Sequence, residues 1–482
     1  MQFNFREGIK TMFGYNSIVD KGRRQAPKSV TKSEDVQLRK ADRRKLTATS
    51  RDQVRNVSIL AWMLRRHLDY VSRFNLHIRT GNEALDLKVR QLFAWHSRKT
   101  NFDIAQRHDR NAMMRLFEMC KVLDGDCAFL KTDTGALQAI ESDRITRASS
   151  GKIPKKWEDK ISEHGLVLNN MGRTLAYAIT KRGEQGNQYI YDKVVQAENV
   201  IFDGYYTRFD QTRGISPLST VINMSQDVTE ILEANALKAK IHALFGLAFM
   251  RENSTNQNYN DVGYGDETST TSTDSNPYDV QMNPKGILTL DLDPGDKIET
   301  IESRTPSAEL VNFTKEEIRM IMLALDIPYT AYDSMATSFS ARIADRAEYE
   351  ESAERKREKN IDVLHEYSDW KIDRWSGIPD MLGNELASAG MSITQLKNEI
   401  EWIPAGTPWL DKVSEVKAEK QAIAVGLSST PRSALRRGED AYKIIDEQAD
   451  YLKYAESKGV PLYYADGGQE SILAQSEGDM NE

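Results

Sequence analysis

The chain has very little cysteine. Cys120 and Cys127 are the only two in 482 residues. Two thiols make no disulfide framework, and the chain suits a reducing compartment. A Cys-x6-Cys pair with no further ligand nearby is a poor metal site, so both are expected to be buried free thiols. Long apolar runs are also missing. Ala243–Met250 and Ile318–Leu325 are the nearest candidates, well short of the roughly 18 residues that a membrane span needs. The opening MQFNFREGIK has no apolar core of a signal peptide. These absences predict a soluble, intracellular protein with no membrane partner. Excess positive charge is lacking too: 65 Lys and Arg stand against 72 Asp and Glu, a formal net charge of −7. A surface that grips nucleic acid through many phosphates is usually basic, so tight DNA binding by the bulk surface is not expected. Passage of DNA past a few local charges remains open.

Catalytic signatures are absent as well. There is no Gly-x-x-x-x-Gly-Lys-Ser/Thr phosphate loop, no Gly-x-Gly-x-x-Gly and no His-Glu-x-x-His. His67, His77, His96 and His108 are too widely spaced for a local metal box. His365 reads as a half-buried structural residue. Asp124, Asp126 and Asp133 lie close in sequence, and paired acids can hold Mg2+ for nuclease chemistry. Asp-Gly-Asp and Asp-Thr-Gly ahead of strands read more simply as turns. The expectation is a non-enzyme with no cofactor and no metal. A nuclease using Asp124, Asp126 and Glu141 is the enzymatic alternative.

What the chain does contain is helix. No Gly or Pro occurs between Ala341 and Trp375, which predicts a helix roughly 50 Å long. Its second half carries Ile361, Leu364, Ser368, Ile372 and Trp375 on one stripe. Its first half alternates acids with bases over Ala, Ile343 and Tyr349. Alone, it fits a solvated helix or coiled-coil scaffold arm as well as it fits a long radial strut in a ring-shaped assembly, and the change of environment should fall near Asn360. Helices are also predicted over Thr49–Phe74, Asn82–Ser97, Ile104–Leu123, from Ser216 to about Phe249, and over Thr314–Leu325. Residues 1–49 read as a polar, partly basic arm. Between Gly125 and Tyr205 the period switches to short, antiparallel strands, followed by a low-complexity stretch at 251–280. Residues 329–341 form a Ser/Thr-rich loop before the long helix. Trp402, Trp409 and Leu410 are expected packing anchors, followed by helices at Asp411–Val425 and Glu439–Lys458 and an acidic tail, 466–482, expected to be disordered.

Several passages in this order resemble the lambda-like family of tailed-bacteriophage portal proteins. They are Ser50-Arg51-Asp52 with Arg55-Asn56, Leu123-Asp124-Gly125-Asp126-Cys127, and Leu137 to Arg144. Further on come Gly165-Leu166-Val167-Leu168, Arg213-Gly214-Ile215-Ser216-Pro217 and Asp326-Ile327-Pro328-Tyr329 with Ser338 to Arg342. The last are Trp402-Ile403-Pro404, Pro408-Trp409-Leu410-Asp411 and Arg437-Gly438-Glu439-Asp440. Lys412 stands where the family often has Pro, Thr430-Pro431 interrupts a segment where it often has Arg, and residues 251–280 look inserted.

The resemblance implies an α+β, predominantly helical portal fold. Residues 50–215 and 342–410 would form the wing, 216–249 and 307–328 the paired stem helices, and 250–306 the clip. Residues 329–341 would form the tunnel loop and 411–465 the crown. It implies a homododecameric ring at one capsid vertex of the virion, assembled in the bacterial cytoplasm. Double-stranded DNA would enter through the ring during packaging and leave at ejection. The implied partners are the terminase large subunit, adaptor and tail proteins at the clip, the major capsid protein and a scaffolding protein. A separate terminase ATPase would account for the missing phosphate loop. The candidate DNA-facing residues are Thr330, Ser334, Met335, Thr337, Ser338, Ser340 and Arg342, with Lys315 and Arg319 nearby.

Overall fold

The computed structural model describes residues 31–184, 188–244, 247–251, 281–282, 288–289, 296–300, 307–333, 335, 338–406 and 412–460. Side chains of 241–251, 281–282, 288–289 and 296–300 are not among the described features. The expectations for most of 1–30, the stretch 252–280, Trp409, Leu410 and the acidic tail lie outside these residues. The chain divides into two compact units, one comprising residues up to Ser225 and from Arg319 onward, the other Gln226–Ile318.

In the first unit, α1 (Lys40–Asn56) and α2 (Ser58–Val71) replace the single helix expected over Thr49–Phe74. Val57 separates them with extended φ/ψ of −102°/110°, and its side chain is buried. A β-branched residue tolerates that geometry well. The expected arm also shrinks: Arg39–Lys45 is largely helical, and Arg43 is buried. β1 (Phe74–Ile78) and α3 (Glu83–His96) follow, the latter capped by Asn82, whose side chain accepts from the amides of Ala84 and Leu85. α4 (Arg110–Asp124) starts later than expected. Asp103 instead holds a turn by accepting the amides of Ala105, Arg107 and His108.

Two three-stranded antiparallel sheets come next. One has the order β3-β2-β7, from β2 (Asp126–Lys131), β3 (Leu137–Glu141) and β7 (Val200–Gly204). The other has the order β4-β5-β6, from β4 (Leu166–Leu168), β5 (Thr174–Arg182) and β6 (Tyr189–Gln196). The unit resumes at Arg319.

In the second unit lies most of α5 (Ile222–Leu244), then β8 (Leu247–Arg251), β9 (Gln281–Met282), β10 (Leu288–Thr289) and β11 (Asp296–Thr300). β8 pairs with β11, and β9 with β10. The helix expected to run to Phe249 ends at Leu244, because Leu247–Arg251 pairs as a strand with Asp296–Thr300. Backbone pairing across the chain therefore overrides the helical spacing of the apolar residues. α6 (Ala308–Met322) closes the unit and continues into a 3-10 turn at Leu323–Leu325.

α7 (Phe339–Ser376) is the longest element. Leu364, Ser368, Ile372 and Trp375 are buried, as the stripe predicts. Leu364, Ile372 and Trp375 join Phe93, Phe117, Phe129, Tyr367 and Trp402 in the main core. Each such large side chain contributes on the order of 2 kcal/mol by leaving water. Trp402 also donates its indole N–H to Ser368 Oγ at 2.8 Å. It sits on β12 (Ile400–Pro404), a strand the sequence reading missed, after α8 (Ile393–Asn398). β12 pairs antiparallel with β1 across more than 300 residues of sequence, so no local pattern announces it. α9 (Lys412–Ala424), α10 (Thr430–Arg436) and α11 (Ala441–Ser457) complete the described chain.

Candidate functional site

Residues 326–333, 335 and 338 lie in sequence between α6 and α7, and both ends of the segment are fixed. Asp326 ends the 3-10 turn in the left-handed region, φ +59°. Its carboxylate accepts from Ser352 Oγ at 2.6 Å and Lys356 Nζ at 2.8 Å, and Lys356 also donates to the Leu325 carbonyl. Thr330 Oγ1 donates to Asp345 Oδ2 at 2.8 Å. Tyr332 meets Trp62 edge-to-face with ring centroids 5.7 Å apart. At the far end Ser338 caps α7, its hydroxyl accepting the Ala341 amide at 3.3 Å.

The predicted residues therefore have unlike roles. Thr330 and Ser338 are engaged in holding the segment. Arg319 stacks over Tyr329, 4.7 Å from the ring centroid. Arg342 is half-buried and lines a cavity of about 190 Å³ with Arg66, Tyr70 and Tyr349. Ser340 is exposed, 3.3 Å from Ser338 Oγ, and Lys315 is exposed on α6. Met335 is 92% exposed. Ser334 and Thr337 lie outside the described residues. Chemically, the segment offers hydroxyls, a thioether and a few cations. That is enough for fleeting phosphate contact and gives no base readout.

Midway along α7, Asn360 forms a node that the sequence pattern only located. It is fully buried. Its amide N–H groups donate to the Val71 carbonyl at 3.1 Å and Glu118 Oε2 at 3.0 Å, and its oxygen accepts from Lys121 Nζ at 2.9 Å. Glu118 also meets His67 at 2.9 Å and accepts from the Tyr205 hydroxyl at 2.5 Å. Lys121 donates to Asp203 at 2.6 Å. Burial opposes ionisation of Glu118, but Lys121 and the bonds from His67 and Tyr205 outweigh it and hold its carboxyl well below the usual range. Burial depresses the His67 pKa, and the Glu118 bond only partly offsets this. The first half of α7 is not merely a solvated arm. Tyr349 and Ala353 are buried, and Arg357 Nε donates to the Tyr70 carbonyl at 2.8 Å.

A second network explains the separated motifs. Arg51 donates to both oxygens of Asp124 and to Asp143. Arg213 grips Asp126 in a fork, both bonds 2.7 Å. Asp126 also accepts from Ser142 Oγ at 2.5 Å and the Gly214 amide at 2.9 Å. Arg43 Nη2 joins through Ser142 Oγ at 2.9 Å. The Arg213 and Arg43 cations outweigh the burial that would raise the Asp126 carboxyl, so its pKa lies below the ordinary value. Asp-Gly-Asp forms the tight break between α4 and β2 and also carries ion pairs. Asp124 ends α4 and Asp126 begins β2, both inside the ion network. Gly125 between them has φ +99°, and a Cβ there would lie 2.3 Å from the Gly214 carbonyl oxygen. Among the described residues no group of three or more His, Cys, Asp or Glu is arranged to hold a metal, and no helix is long and apolar enough to cross a membrane. The sequence reading missed Arg43, Ser142 and Arg213 as partners. The passage Arg213-Gly214-Ile215-Ser216-Pro217 was the available signal.

A family model described as phage portal protein, lambda family, matches residues 21–357. The chain belongs to that family. It is a portal protein, the connector at a phage head. Three solved structures align with parts of this chain. The neck of an empty gene transfer agent particle has 12% identity and a TM-score of 0.46, over 81% of this chain and 93% of that one. The virion of the native gene transfer agent particle has 12% identity and a TM-score of 0.41, over 83% and 93%. An HK97 family phage portal protein from Corynebacterium diphtheriae has 10% identity and a TM-score of 0.31, over 74% and 94%. No curated protein matches the chain. Nothing among these findings supports the nuclease alternative.

Proposed function

We propose that the portal assembles as a homododecameric ring at one vertex of the virion, after assembly in the bacterial cytoplasm. Double-stranded DNA passes through its centre. A separate terminase ATPase drives packaging, and adaptor and tail proteins bind below once the head is full. In this reading residues 50–215 and 342–410 are wing, α5 and α6 are stem, 250–306 clip and 411–465 crown. Residues 329–341 are the constriction that meets DNA.

The observation that carries the constriction is the anchoring pattern. Asp326, Thr330 and Tyr332 secure one end of the segment and Ser338 the other. Between them Met335 stands free of the surface. A short reach mounted on the end of a packed 38-residue helix is well placed to touch a moving duplex without holding it. The net charge of −7 suits a channel that must release its cargo.

The test has two readouts. Electron microscopy of the purified protein should show rings with an axial pore and give their subunit number. Shortening residues 331–339 should leave those rings intact while impairing packaging in a motor assay. Normal packaging by rings of the shortened variant would remove the constriction from the proposal.

A further inference from the structure

A small cavity is bounded by α2, α7 and residues 327–331. Helical spacing gathers its lining. Arg66 and Tyr70 lie one turn apart on α2, and Arg342, Arg346 and Tyr349 recur at i, i+4 and i+7 along one face of α7. Ile327, Pro328 and Ala331 supply an apolar side. The 3-10 turn Tyr329–Ala331 is tied down next to it. Tyr332 meets Trp62 there, and the Arg66 guanidinium lies 5.8 Å from the Trp62 ring centroid.

The charge in this cavity is of one sign. Among the described residues its lining holds three arginines and no Asp or Glu. Asp345 and Glu350 of α7 have donors of their own, Thr330 and Arg357. Arg346 also has an interaction of its own, whereas Arg66 and Arg342 pair with no carboxylate among the described residues. Guanidinium groups crowded around one small space repel one another unless an anion lies between them. Tyr349 is an independent sign of a missing ligand. It is 5% exposed, and its hydroxyl is buried with no hydrogen-bond partner, an arrangement that costs stability unless a ligand completes it. Burial pushes the Tyr349 pKa up, so the hydroxyl keeps its proton and can donate. Tyr349 also lines a wider cavity of about 620 Å³. That lining carries both signs, with Asp345, Glu348 and Glu351 beside Arg355 and Lys359, so an anion gains less there.

We propose that the smaller cavity is an oxyanion site for a free, phosphate-class dianion, held by Arg66, Arg342, Arg346 and the Tyr349 hydroxyl. Guanidinium forks match the oxygens of a tetrahedral oxyanion, and the phenol supplies one further donor. The volume of about 190 Å³ equals that of about six waters. It holds one small ion with bound water and falls below the roughly 300–1,000 Å³ of sites for drug-sized ligands. The bound ion bridges α2 and α7 beside residues 327–331, and so stiffens the base of the segment that continues to Ser338. The site needs one chain only, so its failure and that of the ring reading are separate.

Isothermal titration of the full chain with inorganic phosphate, at constant ionic strength, tests this. One saturable site per chain is expected. Arg342→Gln should weaken it about ten-fold or more and Tyr349→Phe about three-fold or more, the losses of a charged and a neutral hydrogen bond. Melting in phosphate-free buffer keeps folding apart from binding. Tyr349→Phe should melt no lower than the wild type, because its hydroxyl has no partner to lose. No saturable binding, or equal binding by the wild type and both variants, overturns the proposal. So does a lower melting temperature for Tyr349→Phe. Phosphate is also titrated into the chain saturated with a short DNA duplex. Unchanged affinity is expected; competition by the duplex would assign these cations to backbone phosphate and overturn the free-ion site.

Discussion

Asp126→Ala probes whether the Asp-Gly-Asp passage is structural. The carboxylate is fully buried and accepts four bonds: two from Arg213, one from Ser142 and one from the Gly214 amide. Removing it leaves the buried Arg213 guanidinium without its paired carboxylate and with Arg43 close by. Breaking one partner of a buried pair costs about 3–5 kcal/mol. Total stabilities are about 5–15 kcal/mol, so the variant should unfold at markedly lower urea. Arg213→Met carries its own loss, since Arg213 also donates to the Ile145 and His164 carbonyls. The two losses share one interaction, so the double variant should fall short of their sum by about 2 kcal/mol or more. Urea unfolding of all four proteins, followed by far-ultraviolet circular dichroism, measures this cycle. A loss under about 1 kcal/mol for Asp126→Ala, or additive losses, refutes the network. Magnesium-dependent DNA cleavage by the wild-type chain, abolished by Asp126→Ala without loss of stability, would refute it from the other side.

Two further outcomes are expected. Burial, reinforced by Arg374, lowers the Lys371 pKa to about 7. The unfolded chain therefore holds the extra proton between pH 7 and about 10.4, and stability should rise with pH through that window. Lys371→Met should flatten the rise in melting temperature between pH 7 and 9.5; parallel profiles would contradict the assignment. Asn360→Ala removes partners of Lys121, Glu118 and the Val71 carbonyl at once. Thermal unfolding should show a loss of about 2–4 kcal/mol, because buried polar groups left unpaired cost about 1–3 kcal/mol each; a neutral substitution would show that the node is dispensable.

The sequence by itself determined the helical elements and the strand-rich middle, through period and punctuation. The stripe from Ile361 to Trp375 and the free state of the two thiols were legible, because each depends on residues within a few positions of one another. The order of the motifs was enough to name the family. Tertiary structure alone decided what the motifs do. Arg51 lies 73 residues from its partner Asp124, and Arg213 lies 87 residues from Asp126, so nothing local declares that these pairs neutralise one another. The same holds for β12, whose partner β1 lies at the other end of the first unit's sequence, and for β8, whose helical spacing yielded to β11. Periodicity reports that a side chain avoids water. Only the packed chain shows which partner it meets.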